Sequence, residues 1–64
     1  MNDNELAIRY IKQFKDLQQR FIDMNNDIIS FAQSEDLCKN LRIENEVYKS
    51  NILLLEEIIS ILEK

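Results

Sequence analysis

Apolar side chains recur at alternating spacings of three and four residues through most of this 64-residue chain. This spacing places them on one stripe of an α-helix, as in a coiled-coil heptad. The first stripe consists of Tyr10, Phe14, Leu17, Phe21, Met24, Ile28 and Phe31. The second consists of Cys38, Leu41, Asn45, Tyr48, Ile52, Leu55, Ile59 and Leu62. The sequence therefore predicts one all-α module over residues 1–64, with a Phe-rich segment 4–33 and an Ile/Leu-rich segment 35–64.

The two stripes do not share one heptad frame. An a position at Ile28 is followed by the next at Cys38, ten residues later, which is seven plus three. Such a shift is typical either of a locally overwound coiled coil or of a chain that turns back. Our first prediction is a long amphipathic helix in an oligomeric coiled coil or helical bundle. The alternative is an antiparallel helical hairpin with a break near residues 33–36, which dimerises to a four-helix bundle.

The residues at the phase change suit the start of a second helix. Ser34 offers a hydroxyl cap, and Glu35 and Asp36 put acids in the first turn. The chain contains no glycine and no proline, so nothing in the sequence forces a break at this point. The rod and the hairpin both stay open.

Residues 52–62, ILLLEEIISIL, carry more apolar surface than a single partner helix covers. Their apolar side chains span about half of the helix circumference, whereas a two-stranded coiled coil needs only the narrower a/d seam. The first stripe holds all three phenylalanines, which fit a four-helix layer, and is flanked by Ile8, Ile22 and Ile29. A single cysteine excludes an intrachain disulfide, so association remains as the way to stabilise so short a chain. We expect both stripes, with Ile58, to form an oligomer interface.

Asn45 is the one polar residue within the second stripe. An asparagine at an a position can pair with its counterpart across a parallel dimer and so fix the register. Glu44 would then face Lys49 of the other chain, which favours parallel association. In a hairpin, Asn45 would instead lie at a wetter seam.

Charge and motifs argue against several function classes. The net charge of −4 gives no reason to expect non-specific nucleic-acid binding. The longest apolar run, ILLL, is four residues against the roughly 20 that span a bilayer, and the polar N-terminus is not a secretory signal. The chain has no histidine and no catalytic or phosphate-binding motif. We expect a soluble intracellular protein that is not an enzyme, without catalytic residues, cofactor, metal or membrane span.

The segment EDLCKNLRIENEVYKS resembles the second helix of the plasmid Repressor-of-primer family. It shares a cysteine followed three residues later by leucine, and then apolar positions in the same cadence. The resemblance implies a helical hairpin that dimerises into a four-helix bundle. It also implies that Phe14 and the basic residues near it, Arg9, Lys12, Lys15 and Arg20, contact paired RNA loops. It covers sixteen residues and follows mostly from the heptad, so we assign the chain to no family.

The sequence thus predicts a non-enzymatic oligomerisation or scaffold module that associates with itself or with a partner protein's helices. The first alternative is a small helical regulatory or adaptor protein that binds its partner through the apolar face. The second is an RNA-binding hairpin dimer, which the acidic charge disfavours.

Overall fold

The computed structural model describes residues 2–64 and consists of two α-helices that pack against each other as a hairpin. Helix α1 spans Asp3–Phe31 and helix α2 spans Glu35–Leu62. The all-α prediction is confirmed, and the chain has the hairpin arrangement, not the unbroken helix that we placed first. Residue 1, which the predicted module includes, lies outside the described residues.

Three residues reverse the chain without glycine or proline. Ala32 and Ser34 both have extended backbone, with φ/ψ of −72/136° and −78/117°, and no described residue has a positive φ. The Ser34 hydroxyl accepts a hydrogen bond from the Leu37 backbone N–H at 3.2 Å, which satisfies one of the free donors at the start of α2. The predicted helix start at Ser34 is confirmed. This cap stabilises the start of α2 by about 0.5–2 kcal/mol and so favours the break over an unbroken helix.

Helix α2 packs against α1 with its predicted stripe. Cys38, Asn45 and Ile59 are buried in this contact. The other members of the stripe are half-buried, namely Leu41, Tyr48, Ile52, Leu55 and Leu62, together with the neighbouring Ile58.

Helix α1 packs against α2 with a different stripe from the predicted one. The packed side chains follow the same alternation of three and four residues but lie one position further along the helix. They are Ile8, Ile11, Lys15, Gln18, Ile22, Asn25 and Ile29. Helix α1 thus carries two parallel heptad stripes, and the hairpin uses the more polar one.

The hairpin has a very small core. Its buried apolar side chains are Ile22, Cys38 and Ile59, and the other two buried residues are Asn25 and Asn45. Within the described residues, no side chain is less than 2% exposed. Neither helix of residues 2–64 is long and apolar enough to cross a membrane. Most of the apolar surface of the chain therefore lies outside the contact between the helices.

Candidate protein–protein interface

The predicted first stripe runs exposed along one side of the hairpin. Phe14 is 58% exposed and Met24 is 58% exposed, whereas Phe21 is half-buried. Helix α2 adds an aliphatic edge to the same side. We call this surface the aromatic face and define it as Tyr10, Phe14, Leu17, Phe21, Met24 and Ile28 of α1 with Val47, Leu54, Ile58 and Ile61 of α2. The two helices contact each other along a narrow seam, so most of this broad face has no intrachain partner.

Both helices meet in the middle of the aromatic face. A groove of about 220 Å³ is lined by Phe14, Gln18, Asn51, Leu54 and Leu55. At its floor the Asn51 side-chain N–H donates a hydrogen bond of 3.0 Å to the Gln18 side-chain oxygen. The face is therefore one surface that crosses the seam, not two separate helix edges.

Aromatic rings give this face its relief. The rings of Phe21 and Tyr48 lie with centroids 5.3 Å apart and planes inclined at 41°, which joins α1 to α2 one turn from the groove. A second groove of about 190 Å³ lies along α1 between Tyr10, Phe14 and Leu17. Phe14 thus forms a ridge between two grooves. Side chains of a facing helix pack into such grooves.

The opposite side of the hairpin is polar. It carries Arg9, Lys12, Asp16, Gln19 and Asp23 of α1 and Arg42, Lys49 and Glu56 of α2, and we call it the polar face. Lys15 at its edge lies 3.8 Å from Glu56. Leu53 is its exception, a leucine that is 63% exposed beside charged neighbours. Of the four basic residues noted in the sequence, Arg9, Lys12 and Lys15 lie towards this side, away from Phe14.

A buried amide network ties the two helices together near the turn. The Asn25 side-chain N–H donates to the Asn45 side-chain oxygen at 3.0 Å and to the Glu44 carboxylate at 3.1 Å. The Asn45 side-chain N–H in turn donates to the Asn26 oxygen at 3.0 Å. The sequence pointed to Asn45 as a partner for a second Asn45, whereas the hairpin pairs it with Asn25 and Asn26 of the same chain.

Glu44 is held in its charged form by its neighbours. The Tyr48 hydroxyl donates to the Glu44 carboxylate at 2.7 Å. This hydrogen bond, and then the one from Asn25, lower the pKa of Glu44 below its ordinary value. The same carboxylate raises the pKa of the Tyr48 phenol, because the phenol must keep its proton to donate. Glu44 does not meet Lys49 within the chain, since Lys49 pairs with Glu46 at 3.2 Å.

Among residues 2–64, no three His, Cys, Asp or Glu side chains are grouped as metal ligands. The thiol of Cys38 is buried beneath the turn, 3.9 Å from the carbonyl oxygens of Ile29 and Ala32. The surface that the geometry singles out is therefore the aromatic face.

The predicted interface residues divide between two surfaces. The members in α1 lie on or beside the exposed aromatic face, and Phe31 continues it to the turn at 84% exposure. The members in α2 mostly face α1. Sequence reasoning counted Leu54 and Ile61 in the broad apolar surface of residues 52–62 but did not name them as site residues, and it did not find Val47 or Asn25. The heptad spacing of Asn25 could have indicated its place in the packed stripe, because Asn25 follows Ile22 by three residues and precedes Ile29 by four.

Comparisons of the chain with protein-family models, with curated proteins and with solved structures each found no match. The resemblance of residues 35–50 to the Repressor-of-primer family gains no support from them.

Proposed function

We propose that this protein is a non-enzymatic helical assembly module that binds a second copy of itself through the aromatic face. The observation that carries the proposal is the distribution of apolar side chains. Ile22, Cys38 and Ile59 are the only apolar residues buried in the described hairpin, while Phe14, Leu54 and many others remain exposed. Fully burying one such side chain is worth about 1.5–3 kcal/mol. Covering the face therefore supplies stability that the two-helix core lacks.

The accessible surface of the hairpin is large for its mass. It amounts to 5102 Å², whereas a compact monomer of 7.7 kDa is expected to expose about 4,300 Å². The excess reflects an elongated body with a single layer of two helices. A second hairpin laid on the aromatic face would give each helix a second neighbour and form a four-helix bundle.

The side of the hairpin that carries the aromatic face has room for a second copy. The Cα body measures 49 Å along the helices and 16 Å across them, a footprint of roughly 780 Å². A standard protein–protein interface buries about 800 Å² on each partner. The face is therefore large enough for a second copy.

The placement of charge also favours a second copy. Each chain has a net charge of −4, so two copies repel unless their charged side chains stay in water. Most charged groups lie on the polar face or the outer edges, and the carboxylate of Glu44 beside the aromatic face has two hydrogen-bond donors. A two-fold dimer uses the same patch on both copies, so an apolar face is complementary to itself without opposite charges.

Two adjacent leucines allow a matched test of the proposal. Leu54 lies on the aromatic face and Leu53 on the polar face, and they are 56% and 63% exposed in the single hairpin. Leu54→Glu and Leu53→Glu introduce the same group into the same helix one residue apart. In a two-fold dimer each change occurs twice, so Leu54→Glu forfeits about 3–6 kcal/mol, at least a hundredfold in dissociation constant.

The measurement is the solution mass by sedimentation equilibrium, with helicity followed by circular dichroism. We expect twice the chain mass for the wild type and for Leu53→Glu, and the mass of one chain for Leu54→Glu at the same concentration. A wild type that stays monomeric and helical at high micromolar concentration would overturn self-association and leave the adaptor alternative. Equal weakening by both substitutions would overturn the assignment of the face.

A further inference from the structure

We infer that the two hairpins of the dimer lie with their turns at the same end, so that α1 of each copy covers α2 of the other. This inference rests on the proposed self-association and adds to it the orientation of the second copy. Two-fold packing of the aromatic faces offers two orientations. In one the axis runs along the hairpin and the turns meet. In the other the axis crosses the hairpin and the turns lie at opposite ends.

The two helices present side chains of different size to the aromatic face. Three of its side chains from α1 carry rings, namely Tyr10, Phe14 and Phe21, whereas its side chains from α2 are all aliphatic, such as Leu54 and Ile61. With turns at opposite ends, α1 would cover α1 and α2 would cover α2. Large residues would then meet large ones on one side of the bundle and small would meet small on the other. The spacing of facing helices depends on the side chains between them, so this arrangement would open like a wedge.

With the turns together, the ring of Phe14 in the middle of the face meets a smaller aliphatic side chain. The contacts within the hairpin fix the levels of the bundle, because Phe14 and Leu54 line one groove and Phe21 lies against Tyr48. A copy rotated about the long axis keeps the same levels, so Phe14 of one copy meets Leu54 of the other. At this level a large residue packs against a smaller one, the alternation that favours well-packed layers.

The turn end supplies a second, independent argument. Phe31 and Leu37 flank the turn and are 84% and 43% exposed, and we call them the turn-end cluster. With the turns together, Phe31 of each copy meets Leu37 of the other and all four side chains leave water. With the turns apart, Phe31 would face the polar first residues of α1, Asp3 and Asn4, and Leu37 would face the last turn of α2.

The orientation has a consequence for the shape of the assembly. Both turns would form one end of the bundle, closed by the turn-end clusters. Residues 2 and 64 of both copies would emerge together at the other end. Such a dimer has two different ends, one made by the two turns and the other by the chain ends.

Spin-label distances test the orientation directly. We would replace the natural thiol in Cys38→Ala and attach one nitroxide per chain in Cys38→Ala/Gln33→Cys, at an exposed residue of the turn. With turns together, the two labels of a dimer lie within about two helix spacings of 8–10 Å each. With turns apart, they are separated by most of the 49 Å length of the body.

A second labelled variant, Cys38→Ala/Asn4→Cys, probes the other end and keeps the test intact if a label disturbs the turn. We expect a short distance at both sites. A long distance at both sites, in a sample whose mass is that of a dimer, would overturn the orientation and leave self-association standing. If the wild type as well as the labelled variants had the mass of one chain, the proposed function would be overturned instead, so the two failures are distinguishable.

Discussion

The side-chain N–H of Asn25 lies 3.0 Å from the side-chain oxygen of Asn45, and both residues are buried between the two helices. A buried amide keeps its place only where its donors and acceptors find partners, since an unmade hydrogen bond leaves the full cost of desolvation. Here Asn45 accepts a hydrogen bond from Asn25, and the side-chain N–H groups of Asn25 and Asn45 also reach Glu44 and Asn26, respectively. The pair therefore fixes the level at which α1 and α2 meet.

Replacing Asn45 with alanine should destabilise the protein, because Asn25 would lose the acceptor for one of its buried N–H groups. We expect a loss of about 1–3 kcal/mol in the free energy of unfolding, measured by urea denaturation. Asn40→Ala is the matched control, since Asn40 is exposed on the same helix and should change stability by less than about 0.5 kcal/mol. Equal effects of the two substitutions would contradict the buried pair.

Replacing both asparagines together should not destabilise the protein. In Asn25→Leu/Asn45→Leu no unpaired polar group is left behind, so stability should be unchanged or higher than in the wild type. We also expect less well-defined helix pairing, because the amides no longer select one level. Thermal unfolding would report the first effect and broadened NMR amide signals the second. A double variant less stable than Asn45→Ala alone would contradict this reasoning.

The hydrogen bond between Tyr48 and Glu44 should make stability fall at acid pH. The pKa of Glu44 is lower in the folded state, so its contribution is fully present above the ordinary glutamate range and disappears as pH falls through the folded pKa. Tyr48→Phe removes the main cause of that shift, so its stability should fall less between neutral and acid pH than that of the wild type. Urea midpoints measured across this range check the prediction.

A tyrosine elsewhere controls for the loss of a hydroxyl. Tyr10→Phe lies far from Glu44 and should keep the wild-type pH profile. At alkaline pH the sign reverses. The raised pKa of Tyr48 means that its contribution is present below the ordinary tyrosine range and is lost as pH rises through the folded pKa. Identical acid profiles for the wild type and Tyr48→Phe would contradict the role of this bond.

Removing the cap at the turn should weaken the hairpin. Ser34→Ala leaves the Leu37 N–H without its acceptor, and we expect a loss of about 0.5–2 kcal/mol in unfolding free energy. Ser50→Ala is the matched control, because Ser50 is exposed inside α2, where alanine is the better helix former. If Ser34→Ala were as stable as Ser50→Ala, the Ser34 cap would not be what stabilises the start of α2.

The sequence predicted the helices and the turn more fully than it predicted which stripe each helix uses. The cap at Ser34 and the stripe around Ile52 and Ile59 depend on local spacing, and both are where the pattern put them. In α1 the pattern holds two heptad stripes side by side, one with Phe14 and Phe21 and one with Ile22 and Asn25. Apolar character alone favoured the aromatic one. The choice depends on the amide partner that α2 offers at Asn45, and spacing within one helix does not contain that information.

Cys38 provides a readout that links the fold to the proposed association. Its thiol is buried beneath the turn, so a water-soluble thiol reagent should react with it only when the hairpin opens. Association stabilises the folded chain by mass action, so the labelling rate should fall as protein concentration rises. In Leu54→Glu the rate should be faster and should not depend on concentration.

The variant Cys38→Ala/Gln33→Cys is the control for the reagent. It places the thiol in the exposed turn and should react rapidly at every concentration. A rate for the wild type that stays constant from dilute to concentrated protein would mean that the hairpin does not gain its stability from a second copy.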